Sequence, residues 1–251
     1  MKRRDFLKIA CFSVAGLPAR STFGLFTGKT LDQQKKDGQP QWAMVVDLKT
    51  CITKPGCREC IDACHSIHNV PQLNDPKSEI KWIWTNPFDK VFPEHTHQFS
   101  SLQVRQQPVL VLCNHCDNPP CVKVCPTKAT FKRADGLVMM DYHRCIGCRY
   151  CMAACPYGAR SFNWSDPRPS IKNINPAFPT RTKGVVEKCN FCEERLVKGY
   201  LPACVEACPA GGLTFGDLND HESQIRKTLD FRSSFRRKAH LGTEPKVFYV
   251  V

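Results

Sequence analysis

Residues 145–156 read Cys145-Ile146-Gly147-Cys148-Arg149-Tyr150-Cys151-Met152-Ala153-Ala154-Cys155-Pro156, and this run decides the fold. Its spacing, C-x2-C-x2-C-x3-C-P, lets a short loop aim three thiolates at one iron–sulfur cube, with backbone N–H groups left to bond the sulfides. The fourth cysteine leads away from that cube, and in two-cluster proteins it serves the neighbouring one.

Working outward, sixteen of the seventeen cysteines fall into four such groups. Cys51, Cys57, Cys60 and Cys64 form the first, and Cys113, Cys116, Cys121 and Cys125 the second. After the central run come Cys189, Cys192, Cys204 and Cys208. Every group closes with C-x3-C, and Pro126, Pro156 and Pro209 follow the last cysteine of three of them. Groups that exchange their fourth cysteine act in pairs, so four groups imply four 4Fe–4S clusters, although spacing alone leaves the pairing order open. Closed zinc sites use two C-x2-C pairs, which a third cysteine crowds here. Disulfide frameworks do not repeat a metal-ligand spacing. Cys60, Cys64 and His65 read C-x3-C-H, one residue longer than a haem attachment motif.

The formal charge of +13 suggests nucleic acid at first sight. A cubane held by four thiolates carries about −2, so four clusters and loss of the basic leader reduce the sum to roughly +2. No basic stripe with a reading motif remains, which argues against nucleic acid as a partner. No run of eighteen apolar residues is present, so the mature chain is not expected to span a membrane alone. With 19 prolines and a hydrophobic content of 42%, the chain is expected to use its clusters as internal cross-links.

Residues 1–19, MKRRDFLKIACFSVAGLPA, combine a basic start, a short apolar stretch and a small residue before Arg20. Arg3-Arg4-Asp5-Phe6-Leu7-Lys8 resembles a twin-arginine export signal, which places the working domain in the periplasm or on the extracytoplasmic face of the membrane. A basic amphipathic helix is the alternative for this segment. Residues 20–41 read as a linker, 42–216 as the cluster domain and 217–251 as a basic docking extension, with Arg226 to Lys238 as a docking surface or a solvated helix face.

Trp42–Asp47 and Gln107–Leu112 are expected as strands entering the first two groups. Ala134-Asp135-Gly136 is expected to turn a hairpin. Val185–Glu187 should precede the fourth group and Leu213–Gly216 should follow it, with brief helices starting at or near each last cysteine. Residues 66–106 and 159–184 interrupt the repeats. Long loops tend to be functional, so Trp82, Trp84 and Trp164 are expected either to dock a partner or to shield clusters from water. His65, His68, His115 and His143 lie near the cysteines and either tune potentials through hydrogen bonds or simply pack.

The stretches CRECIDACHSIHNVP (57–71), NHCDNPPCVKVCPTKATFKRADG (114–136), RCIGCRYCMAACPYGARSFNW (144–164) and EKCNFCEERL (187–196) carry a specific resemblance. From Trp42 to Gly216 the chain resembles the four-cluster iron–sulfur subunits of DMSO, polysulfide and nitrite reductase complexes. Within them it is most similar to DsrO-type subunits of DsrMKJOP membrane complexes. The resemblance implies an α+β fold of two ferredoxin-like modules with loop insertions, stabilised by their clusters. It also implies an electron-transfer subunit, not an enzyme with a small-molecule substrate of its own. Expected partners are an NrfD-like integral membrane subunit and a multihaem cytochrome c, or alternatively a molybdenum subunit. The implied ligand sets are Cys51, Cys57, Cys60 with Cys208; Cys189, Cys192, Cys204 with Cys64; Cys113, Cys116, Cys121 with Cys155; and Cys145, Cys148, Cys151 with Cys125. The first group departs from the pattern: five residues separate Cys51 from Cys57, and His65 stands where Pro is usual. The cluster served by Cys51 is therefore the one the sequence leaves least defined.

Overall fold

The computed structural model describes residues 38–73 and 75–251. The leader and residues 20–37 of the expected linker lie outside these described residues.

Among the described residues ten strands follow in order: β1 (Trp42–Asp47), β2 (Ile83–Pro87), β3 (Pro108–Leu112), β4 (Thr130–Lys132), β5 (Val138–Met140), β6 (Ser161–Phe162), β7 (Val186–Glu187), β8 (Leu213–Asp217), β9 (Ser234–Phe235) and β10 (Val247–Val250). Helices are short and strands are mixed with them, giving an α+β chain. The strand expected at 42–47 is present, as are those near 107–112, 185–187 and 213–216 and the 130–141 hairpin.

The largest sheet has the order β8-β1-β10-β9. β1 runs parallel to β10, with Met44 opposite Val247, and antiparallel to β8, with Met44 opposite Phe215. Its Ala-Met-Val-Val centre is buried throughout, as a strand covered on both faces requires. Successive side chains alternate between the faces. Met44 and Val46 enter the main core with Leu213, Phe215, Tyr249 and six of the buried cysteines, Cys60, Cys64, Cys113, Cys116, Cys189 and Cys204. Ala43, Val45 and Val250 meet Ile225 of the helix Gln224–Phe231 on the other face. Ser223 caps that helix by accepting the Arg226 amide. Gly216 allows its close approach, since a Cβ there would stand 3.0 Å from Ile225 Cγ2.

Residues 217–251 are therefore part of the main sheet, not an extension beyond it. The basic stretch is likewise largely engaged within the molecule. Arg232 pairs with Asp47 at 2.6 Å, Lys238 donates to the Pro156 carbonyl at 2.7 Å, and Arg237 is buried over the Tyr157 ring.

The helices are brief, as expected, but do not start at or near each last cysteine. In the last three groups they carry the third cysteine, in Pro120–Lys123, Tyr150–Ala154 and Ala203–Glu206, and end before the fourth. The prolines after Cys125, Cys155 and Cys208 explain this, because the residue before proline is pushed out of the helical region. Cys155 accordingly sits at φ −81°, ψ 109°. Where His65 replaces proline, the helix Glu59–Ile67 runs straight through Cys64.

The two insertions are interior structure for much of their length. β2 pairs with β3, and Trp82 and Trp84 are buried, so these two tryptophans belong to the core and not to a docking face; Trp164 is half exposed. A polar centre ties the insertions together. Arg181 and Glu187, both fully buried, pair at 2.6 Å. Trp82 Nε1 donates to Glu187 at 3.0 Å, Asn163 Nδ2 donates to it at 2.5 Å, and Arg181 donates to the His68, Asn69 and Pro179 carbonyls. Removing one partner of such a pair strands a buried charge. Arg181→Met is expected to cost about 3–5 kcal/mol, read as a lower urea midpoint in anaerobic unfolding followed by loss of cluster absorbance.

Candidate metal centres

Each cysteine loop uses left-handed backbone to turn its sulfurs inward. Gly147 (φ +70°) and Arg149 (φ +62°) do so in the third group, His115 (φ +40°) in the second, and Phe191 and Cys192 (φ +58° and +54°) in the fourth. Non-glycine residues adopt this conformation at a cost, so the surroundings must hold them. His115 shows how. Its Nδ1 accepts the Val138 amide at 3.1 Å, its Nε2 donates to the Cys189 carbonyl at 3.1 Å, and its ring stacks 3.8 Å from Phe191. Burial holds its pKa well below the usual range, so this neutral tautomer is fixed.

The sixteen cysteines meet as four quartets. Burial and the neighbouring sulfurs of Cys51, Cys208 and Cys57 push the Cys60 thiol up to about 12. Cys64 is buried against Cys189, Cys204 and Cys192, and its thiol is raised well above the ordinary value by burial and their proximity. Cys116 is raised to about 12 by burial, with Cys113, Cys121 and Cys155 around it. Those four line one cavity, and Cys125, Cys145, Cys148 and Cys151 line another. In every quartet three sulfurs come from one group and the fourth from another. The long Cys51–Cys57 interval is absorbed by the helix Leu48–Ile52 and a turn at Gly56 (φ +72°), so Cys51 still reaches its quartet.

The quartets form a series. Cys60 lies close to Cys64 and Cys204 of the second, Cys189 of the second lies close to Cys113 of the third, and Cys121 of the third lies close to Cys151 of the fourth. Cys64, Cys189, Cys192 and Cys204 are all buried, whereas Cys51, Cys57 and Cys208 at one end and Cys125, Cys145 and Cys148 at the other are half-buried.

The residues present fit iron–sulfur clusters. Soft thiolate donors select such groups, and ionised together without iron they would repel one another. Amides of Thr130, Phe191, Ala203 and Gly212 point at Cys125, Cys189, Cys192 and Cys208 sulfurs over 3.3–3.5 Å. The cavity of Cys113, Cys116, Cys121 and Cys155 also receives polar atoms with no hydrogen-bond partner: both side-chain polar atoms of buried Asn114 and Nη2 of Arg160.

Of the histidines near the cysteines, His68 is the most engaged. Its Nδ1 donates to the Cys64 carbonyl at 2.8 Å and its Nε2 to Glu194 at 2.9 Å. Burial lowers its pKa, but the hydrogen bonds to Cys192 and Glu194 outweigh that and raise it to about 9. Its ring stacks on Trp82 at 4.6 Å. His65 is half-buried with Nε2 unpartnered, and His143 is exposed. The cations of the site escape notice in the sequence. Lys188, 1% exposed, donates to the Val138 and Cys189 carbonyls, and Arg160 is 5% exposed.

Two models of the 4Fe-4S dicluster domain match, at residues 107–169 and 144–213, overlapping on the third cysteine group. The chain is 40% identical to the Hdr-like menaquinol oxidoreductase iron–sulfur subunit 1 of Archaeoglobus fulgidus over 99% of its length and 97% of that protein. It belongs to the iron–sulfur subunits of membrane oxidoreductase complexes. A putative iron–sulfur subunit of dimethyl sulfoxide reductase from Halobacterium salinarum is 40% identical over 83% of the chain and 78% of the relative. The menaquinone reductase iron–sulfur cluster-binding subunit of Nitratidesulfovibrio vulgaris is 36% identical over 86% and 90%. Members of this family are electron-transfer subunits that work beside catalytic ones. The dicluster domains carry 4Fe–4S clusters, and sixteen cysteines match four of them. Among the described residues no helix is long and apolar enough to cross a membrane.

Gly147 supplies a sharp test of loop geometry. A Cβ there would collide with the Gly184 carbonyl, and its φ is unfavourable for other residues. Gly147→Ala is expected to lower iron from about sixteen to about twelve per chain, the content of three cubanes, measured on anaerobically purified protein.

Proposed function

We propose that this protein is an extracytoplasmic electron relay. Each quartet holds one 4Fe–4S cluster, with the fourth cysteine of every group serving the neighbouring site. The observation that carries this reading is the serial order of the quartets, with buried sulfurs in the middle and half-buried ones at both ends. When bound, a 4Fe–4S cluster accepts and passes one electron at a potential set by charge, hydrogen bonds and exposure. The chain's own work is to hold these sites in line, keep water from the central pair and offer two ends to different partners.

The ends differ. Around Cys145 and Cys148, Ile146, Tyr150 and Trp164 are exposed, and the Arg149 guanidinium lies 4.8 Å from the Trp164 ring centroid. At the other end Ile52 is exposed, and Val197, Tyr200 and Leu201 are exposed on the segment between Cys192 and Cys204 of the fourth cysteine group. Exposed apolar groups of this kind suit subunit contact. Two relatives are named for menaquinol or menaquinone, which supports a quinone-interacting, NrfD-like membrane subunit at one end. A multihaem cytochrome c at the other completes a DsrMKJOP-like complex of sulfur metabolism. The relative named for dimethyl sulfoxide reductase favours a second reading, with a molybdenum subunit in the cytochrome's place.

The cofactor content tests the premise: about sixteen irons and as many sulfides per chain, the content of four cubanes, are expected, whereas zinc without sulfide would sink the relay. Pairing is tested by Cys155→Ala, which should perturb the same electron paramagnetic resonance signal as Cys116→Ala and leave that of Cys148→Ala alone. The opposite grouping overturns the ligand sets. Lysines in place of Arg3 and Arg4 are expected to keep the protein in the cytoplasmic fraction, and undiminished export would remove the twin-arginine assignment. Purification of the native complex decides between a haem c chain and a molybdenum-containing one.

A further inference from the structure

We propose that Arg160 is a shared cation that raises the reduction potentials of two adjacent iron–sulfur sites, the one lined by Cys113, Cys116, Cys121 and Cys155 and the one lined by Cys125, Cys145, Cys148 and Cys151. The inference rests on the relay reading above and adds a residue that sets its energetics.

Arg160 is 5% exposed and lines the cavity of Cys113, Cys116, Cys121 and Cys155. Its Nη1 donates to Thr130 Oγ1 at 3.1 Å and reaches Met140 Sδ at 3.7 Å, which fixes the guanidinium between β4 and β5. Nη2 is buried without a hydrogen-bond partner. Among the described residues no carboxylate forms an ion pair with it, unlike Arg181, whose charge is met by Glu187. A buried cation with no counter-charge is costly, so its compensation must come from something else nearby. The nearby negative groups are sulfurs: Cys121 and Cys113 from one quartet and Cys151 from the next. Burial works against the guanidinium's charge, yet those sulfurs more than offset it and push its pKa above the ordinary value. One permanent charge thus lies at the junction of two sites.

The direction of its effect follows from charge. A cubane with four thiolates goes from about −2 to about −3 on gaining one electron, and Arg160 neither gains nor loses a proton. A fixed positive charge favours the more negative state, and a desolvated setting strengthens the attraction. Arg160 therefore makes both adjoining sites easier to reduce. The sites built on Cys51 and Cys189 are not next to it and do not share this effect.

The test is a redox titration followed by electron paramagnetic resonance on the full chain, purified anaerobically as wild type, Arg160→Gln, Arg160→Met and Arg160→Lys. Iron and sulfide are counted first. A wild type without them would refute the relay reading itself and leave nothing for Arg160 to tune. With clusters present, the two neutral variants should lower two of the four midpoint potentials and leave two in place. Arg160→Lys, which keeps the charge, should stay near wild type. Arg160→Met fills the space without a buried amide, so it serves if the glutamine variant fails to load. Four unmoved potentials at full iron content would overturn the proposal, as would equal displacement of all four. Iron loss in every variant, lysine included, would make Arg160 a packing residue and also overturn it.

Discussion

The constraint on which this molecule depends is the three-residue step from the third to the fourth cysteine of each group. That step carries the fourth sulfur out of its own loop and against sulfurs of another group: Cys64 against Cys189 and Cys204, Cys125 beside Cys145 and Cys148. Segments distant in sequence are thereby stitched pairwise by the same residues that face the cavities. Short helices, two-stranded sheets and long connections would make a weak core on their own. Cross-linking through soft-metal sites offsets this, because metal binding and folding are then one equilibrium.

Placing four anionic groups inside a small protein creates a second demand, for positive charge in the interior. The chain meets it with side chains that would otherwise be unusual core residues: Lys188 against the Cys189 carbonyl, His68 doubly donating beside Cys64, Arg160 between two cavities. Arg181 is different. Its charge is answered by Glu187, and its donors are spent on the His68, Asn69 and Pro179 carbonyls, so its work is to fasten the insertions. The excess of basic residues in the composition thus divides between charge compensation and ordinary surface.

The cysteine spacing made the cluster type and the number of groups legible, and the Asp135-Gly136 turn and the apolar run at 42–47 made several strands legible. Which fourth cysteine joins which loop is not a property of spacing, because it depends on how distant segments fold against one another. The expectation of helices starting at or near each last cysteine fails because proline after that cysteine keeps it out of the helical region, and His65 marks the one group where the helix runs through. The central sheet was not legible. Val247–Val250 is a short apolar run with nothing local to signal that its partner is β1, because such pairing is decided by tertiary packing. Arg160 and Lys188 were equally anonymous among 36 basic residues, since nothing in a sequence marks which cations are turned inward.

The parallel pairing of Met44 with Val247 also sets a schedule for biosynthesis. All four cysteine groups lie between β1 and β10 along the chain, so every thiol has been translated before β1 can acquire that neighbour. Until then the central sheet lacks one of its strands. The topology of a single strand thus sets the earliest point at which the central sheet can be completed, after every cysteine group has been translated.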